Sequence, residues 1–173
     1  GAASVLWLIR LPRVVMGMLV GAGLAVSGAS LQGLFRNPLA DPALIGISAG
    51  ASLFAVLLIV GAPALAFLWP VGLLMQHYAL TLVTFLGACL TSVIVFRLAR
   101  AGGKTFIATL LLAGIAINAL CGALTGLITY TANNDQLRSI TFWTLGSLGA
   151  ATWSTVLVLS PFILIPLLAL PRL

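Results

Sequence analysis

"LFRNPLADPALIG", residues 34–46, sets Arg36 and Asp41 between two long apolar runs, in a chain of 173 residues that has only eight Lys or Arg and two acids. Asn37 precedes Pro38, and helical backbone is disfavoured at the residue before a proline, so a helix arriving from Gly33 stops here. Asp41 is an N-cap residue and Pro42 suits the first position of the next helix, whose positive end also favours the carboxylate. Arg36, Pro38, Asp41 and Pro42 therefore read as a tight stop-and-restart turn. The runs on either side are each about 20 residues long, the length a helix needs to cross the hydrocarbon core of a bilayer. A hairpin of two spans decides the class: an all-α, polytopic transmembrane helical bundle.

The rest of the chain agrees. It is 62% hydrophobic and 6% charged, against about 25% charged in a soluble domain, and its mean hydropathy is +1.25. Five stretches qualify as spans, about 14–35, 43–62, 79–98, 105–130 and 151–170. An odd number puts the two ends on opposite sides. Arg36, Arg97, Arg100, Lys104 and Arg172 fall on the side of the 36–42 turn, and Arg10, Arg13 and Arg138 on the other. The positive-inside bias then makes the turn and "RLARAGGK" (97–104) cytoplasmic. Standing singly at the edges of apolar runs, these cations form no nucleic-acid patch.

Two segments fit neither span nor ordinary loop. "PALAFLWPVGLLMQHY" (63–78) has two prolines and no formal charge, which suits an interfacial or re-entrant piece. "TANNDQLRSITFWTLGSLGA" (131–150) is the most polar run. Leu137, Ile140, Thr144 and Leu148 share a helical face there and predict a short outer helix over about 137–148. With no initiator Met, no signal peptide and no polar tail, the chain reads as an internal piece of something longer.

Within the first span, Gly17, Gly21, Ala25, Ala29 and Gly33 recur every four residues and form one stripe of small side chains, the pattern that lets helices approach closely in lipid. Gly114, Gly122 and Gly126 repeat it in the fourth span, with Asn118 in the gap. An unsatisfied amide near mid-membrane costs a few kcal/mol, so Asn118 faces either another helix or a wet pathway. Ser27, Ser30 and Gln32 make the end of the first span similarly polar.

Catalysis has little to work with. One histidine (His77), two acids and two cysteines inside apolar runs (Cys89, Cys121) supply neither a hydrolytic triad nor a metal site of recognisable spacing. "GGKT" (102–105) lacks the glycine five residues earlier that a phosphate loop requires, since Leu98 stands there. No cofactor or metal is expected on this chain, and any nucleotide chemistry must come from another. The span interiors hold no ionisable residue of the kind that couples ions to a secondary transporter.

Four blocks, "RLPR" (10–13), "VGAGLAVSGASLQGLFRNPLADPALIGISAGA" (20–51), "LLLAGIAINAL" (110–120) and "ITFWTLGSLGAATW" (140–153), occur in an order that resembles the permease subunits of ATP-driven importers for iron-siderophores, haem and cobalamin. The resemblance runs through essentially the whole chain. It implies a bacterial inner-membrane permease of about ten spans, forming a homodimer with the pathway between the copies. It also implies cytoplasmic ATPase subunits that carry ATP and Mg, and a periplasmic substrate-binding protein. Aligned on "RLPR", residues 1–173 are one permease domain running from just before the second span to after the sixth.

By motif position, Arg10 and Arg13 resemble the arginines that dock the binding protein. Asn37, Leu39 and Thr109 resemble parts of the inner gate, and Trp143 would border the outer mouth. Gln32 and Asn118 remain candidates for pathway lining or helix packing. The family's coupling loop after the sixth span has no counterpart here, so this chain alone is not expected to couple ATP hydrolysis to transport. Its wording is nearest the haem permeases, with cobalamin and ferric-siderophore permeases as alternatives, and a truncated, non-transporting membrane scaffold as the reading from another class.

Overall fold

Pro12 has no N–H to offer the carbonyl four residues back, and the first helix accommodates this with one wide turn. The computed structural model describes residues 1–65, 73–101 and 104–169. In it α1 (Ala2–Val5) runs through a π turn, Leu6–Arg10, into α2 (Leu11–Phe35). Leu11 N–H reaches Leu6 O rather than the nearer Trp7 O, which frees the Trp7 carbonyl for another donor.

α2 ends where the Asn37-Pro38 pair predicts. Arg36 takes the left-handed conformation (φ 50°, ψ 36°), Arg36 N donates to Gly33 O at 3.2 Å, and Asn37 N donates to Gln32 O at 3.1 Å. This is a Schellman cap, with arginine in the place where glycine is usual.

The restart takes two steps, where the sequence suggested one. Asp41 Oδ1 accepts from Ala43 N at 2.7 Å, but the turn it caps is a 3-10 helix, Pro42–Ile45. Gly46 follows with φ 85°, a value that continues no helix, and α3 begins only at Ile47, running to Leu65. Pro42 is thus the first residue of a separate short turn and not of the second span.

α4 (Leu73–Leu98) leads to a two-residue hairpin, β1 (Arg100–Ala101) and β2 (Lys104–Thr105), with Arg100 opposite Thr105. Then come α5 (Ile107–Tyr130), α6 (Asn134–Leu145) and α7 (Trp153–Ala169). The stretch 3–35 and the helices 78–98 and 107–130 are long and apolar enough to cross a membrane; 47–63 and 153–169 are shorter apolar helices. The five stretches expected as spans fall on α2, α3, α4, α5 and α7, of which α3 and α7 contain the two shorter apolar helices. Of the stretch 63–78 read as interfacial or re-entrant, 63–65 end α3 and 73–78 begin α4, while 66–72 lie outside the described residues.

The short helix expected over about 137–148 begins three residues earlier than the apolar face indicated. Asn133 and Gln136 form a reciprocal capping box: Gln136 N donates to Asn133 Oδ1 and Asn133 N to Gln136 Oε1, each at 2.9 Å. Gly146, at φ 71°, lies just past its last residue, so Leu148 is outside the helix.

The chain divides into two compact units, Gly1–Ala40 with Gly146–Leu173, and Asp41–Leu145. In the first, α2 packs against α7, and a Cβ on Gly23 would lie 3.4 Å from Ile163. In the second, α3 packs on α4 and α5. The tightest crossing is at Gly50 and Gly87, where a Cβ on either would come within 2.7 Å of the other's carbonyl oxygen. Thr91 is buried beside it and turns its hydroxyl back to Gly87 O at 2.9 Å. Ala55, Val56, Val95, Leu110 and Cys121 complete this core.

Candidate functional site

Three places in the fold hold the candidate residues. The first is the end of α2. Asn37 Oδ1 accepts the Leu39 N–H at 2.9 Å and Asn37 O accepts from Ala40 N at 3.1 Å. The side chain of Asn37 is thus used within its own turn, as asparagine does in an Asx turn. Its effect is to present Leu39, which is 86% exposed beside a buried Ala40. A large apolar side chain held outward by a rigid turn can plug a narrow opening or meet a partner. Arg36 and Gln32 are exposed; Gln32 contributes its backbone carbonyl to the cap.

The second is the 3-10 turn on α5. Asn118 Nδ2 donates to Ala43 O at 2.9 Å, the same carbonyl that accepts Gly46 N at 3.3 Å. A Cβ on Gly114 would fall on the Leu44 carbonyl oxygen, and one on Gly46 would come 3.3 Å from Ile117. Gly114, Ile117 and Asn118 therefore form a seat into which the turn's backbone fits. Gly114 is seven residues into α5, so the turn is recessed by about 10 Å from the start of that helix at 1.5 Å per residue. Thr109 stands exposed on the first turn of α5, ahead of the seat. Farther along α5 the Thr125 hydroxyl is buried without a hydrogen-bond partner among the described residues.

The third is the N-terminal end of α2. Trp153 Nε1 donates to the free Trp7 carbonyl at 2.9 Å, and the two indoles lie 5.7 Å apart at 43°. Arg13 Nη2 donates to Gly149 O at 3.0 Å. Arg10, in the π turn, is exposed. The two arginines thus differ: Arg13 is tethered to the loop before α7, while Arg10 is free among the described residues. Trp143 is half-buried on α6, which Gln136 ties to α3 through Val60 O at 3.2 Å.

The small-residue stripes are largely open. A Cβ on Gly21, Gly33, Gly122 or Gly126 would meet nothing within 4 Å, and Ala25 and Ala29 are exposed. Gly17 has one neighbour, Leu148 at 3.5 Å. Close backbone approach occurs instead at Gly114 and at Gly50 with Gly87. Spacing did hold a signal for the latter, since Gly46 and Gly50 are four apart in "GISAG". Trp7, Trp153 and Gln136 also went unremarked in the sequence. The N-x-x-Q spacing at 133–136 announces the capping role of Gln136, whereas nothing local announces the tryptophan pair.

Among the described residues no group of three or more His, Cys, Asp or Glu is placed to hold a metal, and Cys89 and Cys121 are free thiols. What the geometry offers is mechanical: an apolar tip, a seated turn and a pinned collar at the start of α2, all on apolar helices.

The proteins this chain resembles are described as transport proteins. A family model described as the FecCD transport family matches residues 1–172. The chain is 52% identical over 160 residues to the hemin transport system permease protein HmuU of Yersinia pestis, covering 92% of this chain and 46% of that one. It is 40% identical to the vitamin B12 import system permease protein BtuC of Klebsiella pneumoniae, over 86% of this chain and 41% of the other. Among solved structures, a protein described as a metal-chelate type ABC transporter in an inward-facing conformation superposes with a TM-score of 0.76 at 33% identity, covering 96% of this chain and 48% of that one. The chain spans somewhat less than half the length of these relatives.

Proposed function

Because the chain belongs to the FecCD transport family, a family of transport permeases and not of catalysts, we propose that it forms the first-half gating portion of a haem importer's permease. The observation that carries the haem assignment is the 52% identity to a hemin permease, against 39–40% to cobalamin permeases. In this reading residues 1–173 belong to one permease domain, and a second copy of the permease completes the pathway. Cytoplasmic ATPase subunits, with their ATP and Mg, supply the energy, in the inner membrane of a bacterium.

Leu39 is the moving stop of the inner gate. Asn37 positions it through the Asx turn, and Thr109 contributes the polar edge from the first turn of α5. The seat at Gly114 and Asn118 ties the 3-10 turn to α5, so a shift of α5 carries that turn with it. At the opposite end, Arg10 and Arg13 register the carboxylates of a periplasmic binding protein. Arg10 is free to steer, and Arg13 keeps N–H groups beyond the one given to Gly149. No residue here needs to bind iron tightly, because a path that releases its cargo works through weak contacts.

The test is ATP-driven uptake into vesicles containing the full permease, its ATPase and its binding protein. Haem is expected to accumulate, and uptake of cobalamin alone overturns the assignment. In the same vesicles, Arg10→Glu with Arg13→Glu should raise the binding-protein concentration needed for half-maximal uptake by at least about tenfold at low salt, with the gap narrowing as salt screens the charges. An unchanged concentration removes the arginines from docking.

A further inference from the structure

The last turns of α4 change from hydrocarbon to cation within a few residues, and they do so around a groove. An open cavity of 410 Å³ is lined by Ser92, Val93, Phe96, Arg97 and Arg100. Val93 and Phe96 are 50% and 41% exposed. Both guanidiniums are exposed as well, and among the described residues neither has a hydrogen-bond or ion-pair partner.

Neither of the chain's two aspartates is paired with them among the described residues. Asp41 caps its own turn through Ala43 N, and Asp135 sits in the first turn of α6, beyond the far end of α5, about 36 Å along a 24-residue helix. Ser92 gives its hydroxyl proton to Ala88 O at 2.7 Å, so the donors facing the groove are the two guanidiniums. The groove is therefore a two-cation site with an apolar wall and no internal counter-charge.

The wall continues along a helix long and apolar enough to cross a membrane. Leu86, Leu90, Val93 and Arg97 follow one another at helical spacings of four, three and four, which places them on one face of α4. Leu86 and Leu90 are 60% and 48% exposed. Val93 lies about 6 Å deeper than Arg97 along the helix, at 1.5 Å per residue, the step from a headgroup phosphate to the start of its acyl chains. A free anion has no use for such a wall. An acidic protein segment would set its backbone polar groups against hydrocarbon at a cost. An anionic amphiphile matches both parts.

We propose that the Arg97–Arg100 groove is a binding site for an anionic phospholipid, its phosphate held by the two guanidiniums and an acyl chain lying along Leu86, Leu90 and Val93. Guanidinium suits the task because its N–H fork matches phosphate oxygens two at a time. A lipid bound here also anchors the hairpin at Arg100, whose strand pairs with the residues that lead into α5.

The test is lipid retention by the full chain, purified in detergent, stripped of lipid, re-exposed to phosphatidylglycerol or phosphatidylcholine, and weighed by native mass spectrometry. Phosphatidylglycerol should be kept in preference to phosphatidylcholine. Arg97→Gln and Arg100→Gln should each lower its retention about fivefold and together about 30-fold, as expected when each surface cation contributes about 1 kcal/mol. The Arg97→Lys, Arg100→Lys variant should keep most of the retention and guards against a folding defect in the Gln variants. Equal retention of both lipids overturns the proposal, as does unchanged retention in the double Gln variant with its helicity intact. Displacement by millimolar inorganic phosphate would reveal a free-anion site. Loss of ATPase co-purification without loss of lipid would reveal a protein surface. Either also overturns it.

Discussion

Two sets of glycines on apolar helices meet opposite fates. On α3, α4 and α5, Gly50, Gly87 and Gly114 are pressed against backbone so closely that a single added carbon would collide with a carbonyl oxygen. On α2, and farther along α5, Gly21, Gly33, Gly122 and Gly126 have nothing within 4 Å of the place a Cβ would occupy. Gly50, four residues from Gly46, and Gly114, in register with Gly122 and Gly126, share with the open set the four-residue spacing associated with close packing in lipid, whereas Gly87 does not. Spacing therefore says that a helix can be approached closely, and the partner decides whether it is. For the open set, no described atom stands where such a partner would have to be.

The contrast can be broken at three points. Gly114→Ala should have the largest effect, a loss of about 3 kcal/mol at the upper end of overpacking costs. The atom it meets is the Leu44 carbonyl oxygen, which cannot move aside as the end of a side chain does. Thermal unfolding of the chain in detergent measures this, and a Gly114→Ala protein as stable as the parent would remove the seat. Asn118→Ala should cost about 1 kcal/mol, the scale of a hydrogen bond between helices in a membrane. Ala43 O retains Gly46 N, so the turn should loosen without detaching, seen as faster amide exchange at Gly46 and Gly50 with the rest of α3 unchanged. Gly122→Ala should be the mildest, a gain of about 0.5 kcal/mol in this chain from better helix propensity. If the open face is covered in the assembled permease, the same substitution should lower stability there. A gain in both settings would mean that nothing packs on it.

Features that depend on neighbours in sequence were legible in advance. The end of α2 at Asn37-Pro38, the capping role of Asp41 and the extent of the apolar runs all arise from local chemistry. The separate 3-10 turn was not, because Pro42 is acceptable as the first residue of either kind of helix. The choice depends on the fit of Leu44 O against Gly114, about 70 residues away in sequence. The start of α6 was legible from Asn133 and Gln136 and was missed by following the apolar face alone, since caps set helix ends and periodicity sets only the face. Asn118 looked like a residue that must face something polar, and it does. That its acceptor is a turn carbonyl lay beyond periodicity. Trp7 and Trp153 were silent because their bond exists only after Pro12 has opened the π turn and α7 has come alongside.

The turn that ends α2 has a consequence for motion. Its four bonds, from Arg36 N, Asn37 N, Leu39 N and Ala40 N, all close onto residues between Gln32 and Asn37. The tip is braced entirely by its own helix and does not need to refold to move. Leu39 is consequently carried at the end of a helix 25 residues long, roughly 37 Å at 1.5 Å per residue. A tilt of about 5° pivoting near the Trp7–Trp153 collar swings the tip by about 3 Å, comparable to the diameter of a water molecule. Small angular strain at the Trp7 end would thus be converted into displacement at the Leu39 end, with no bond broken along the way.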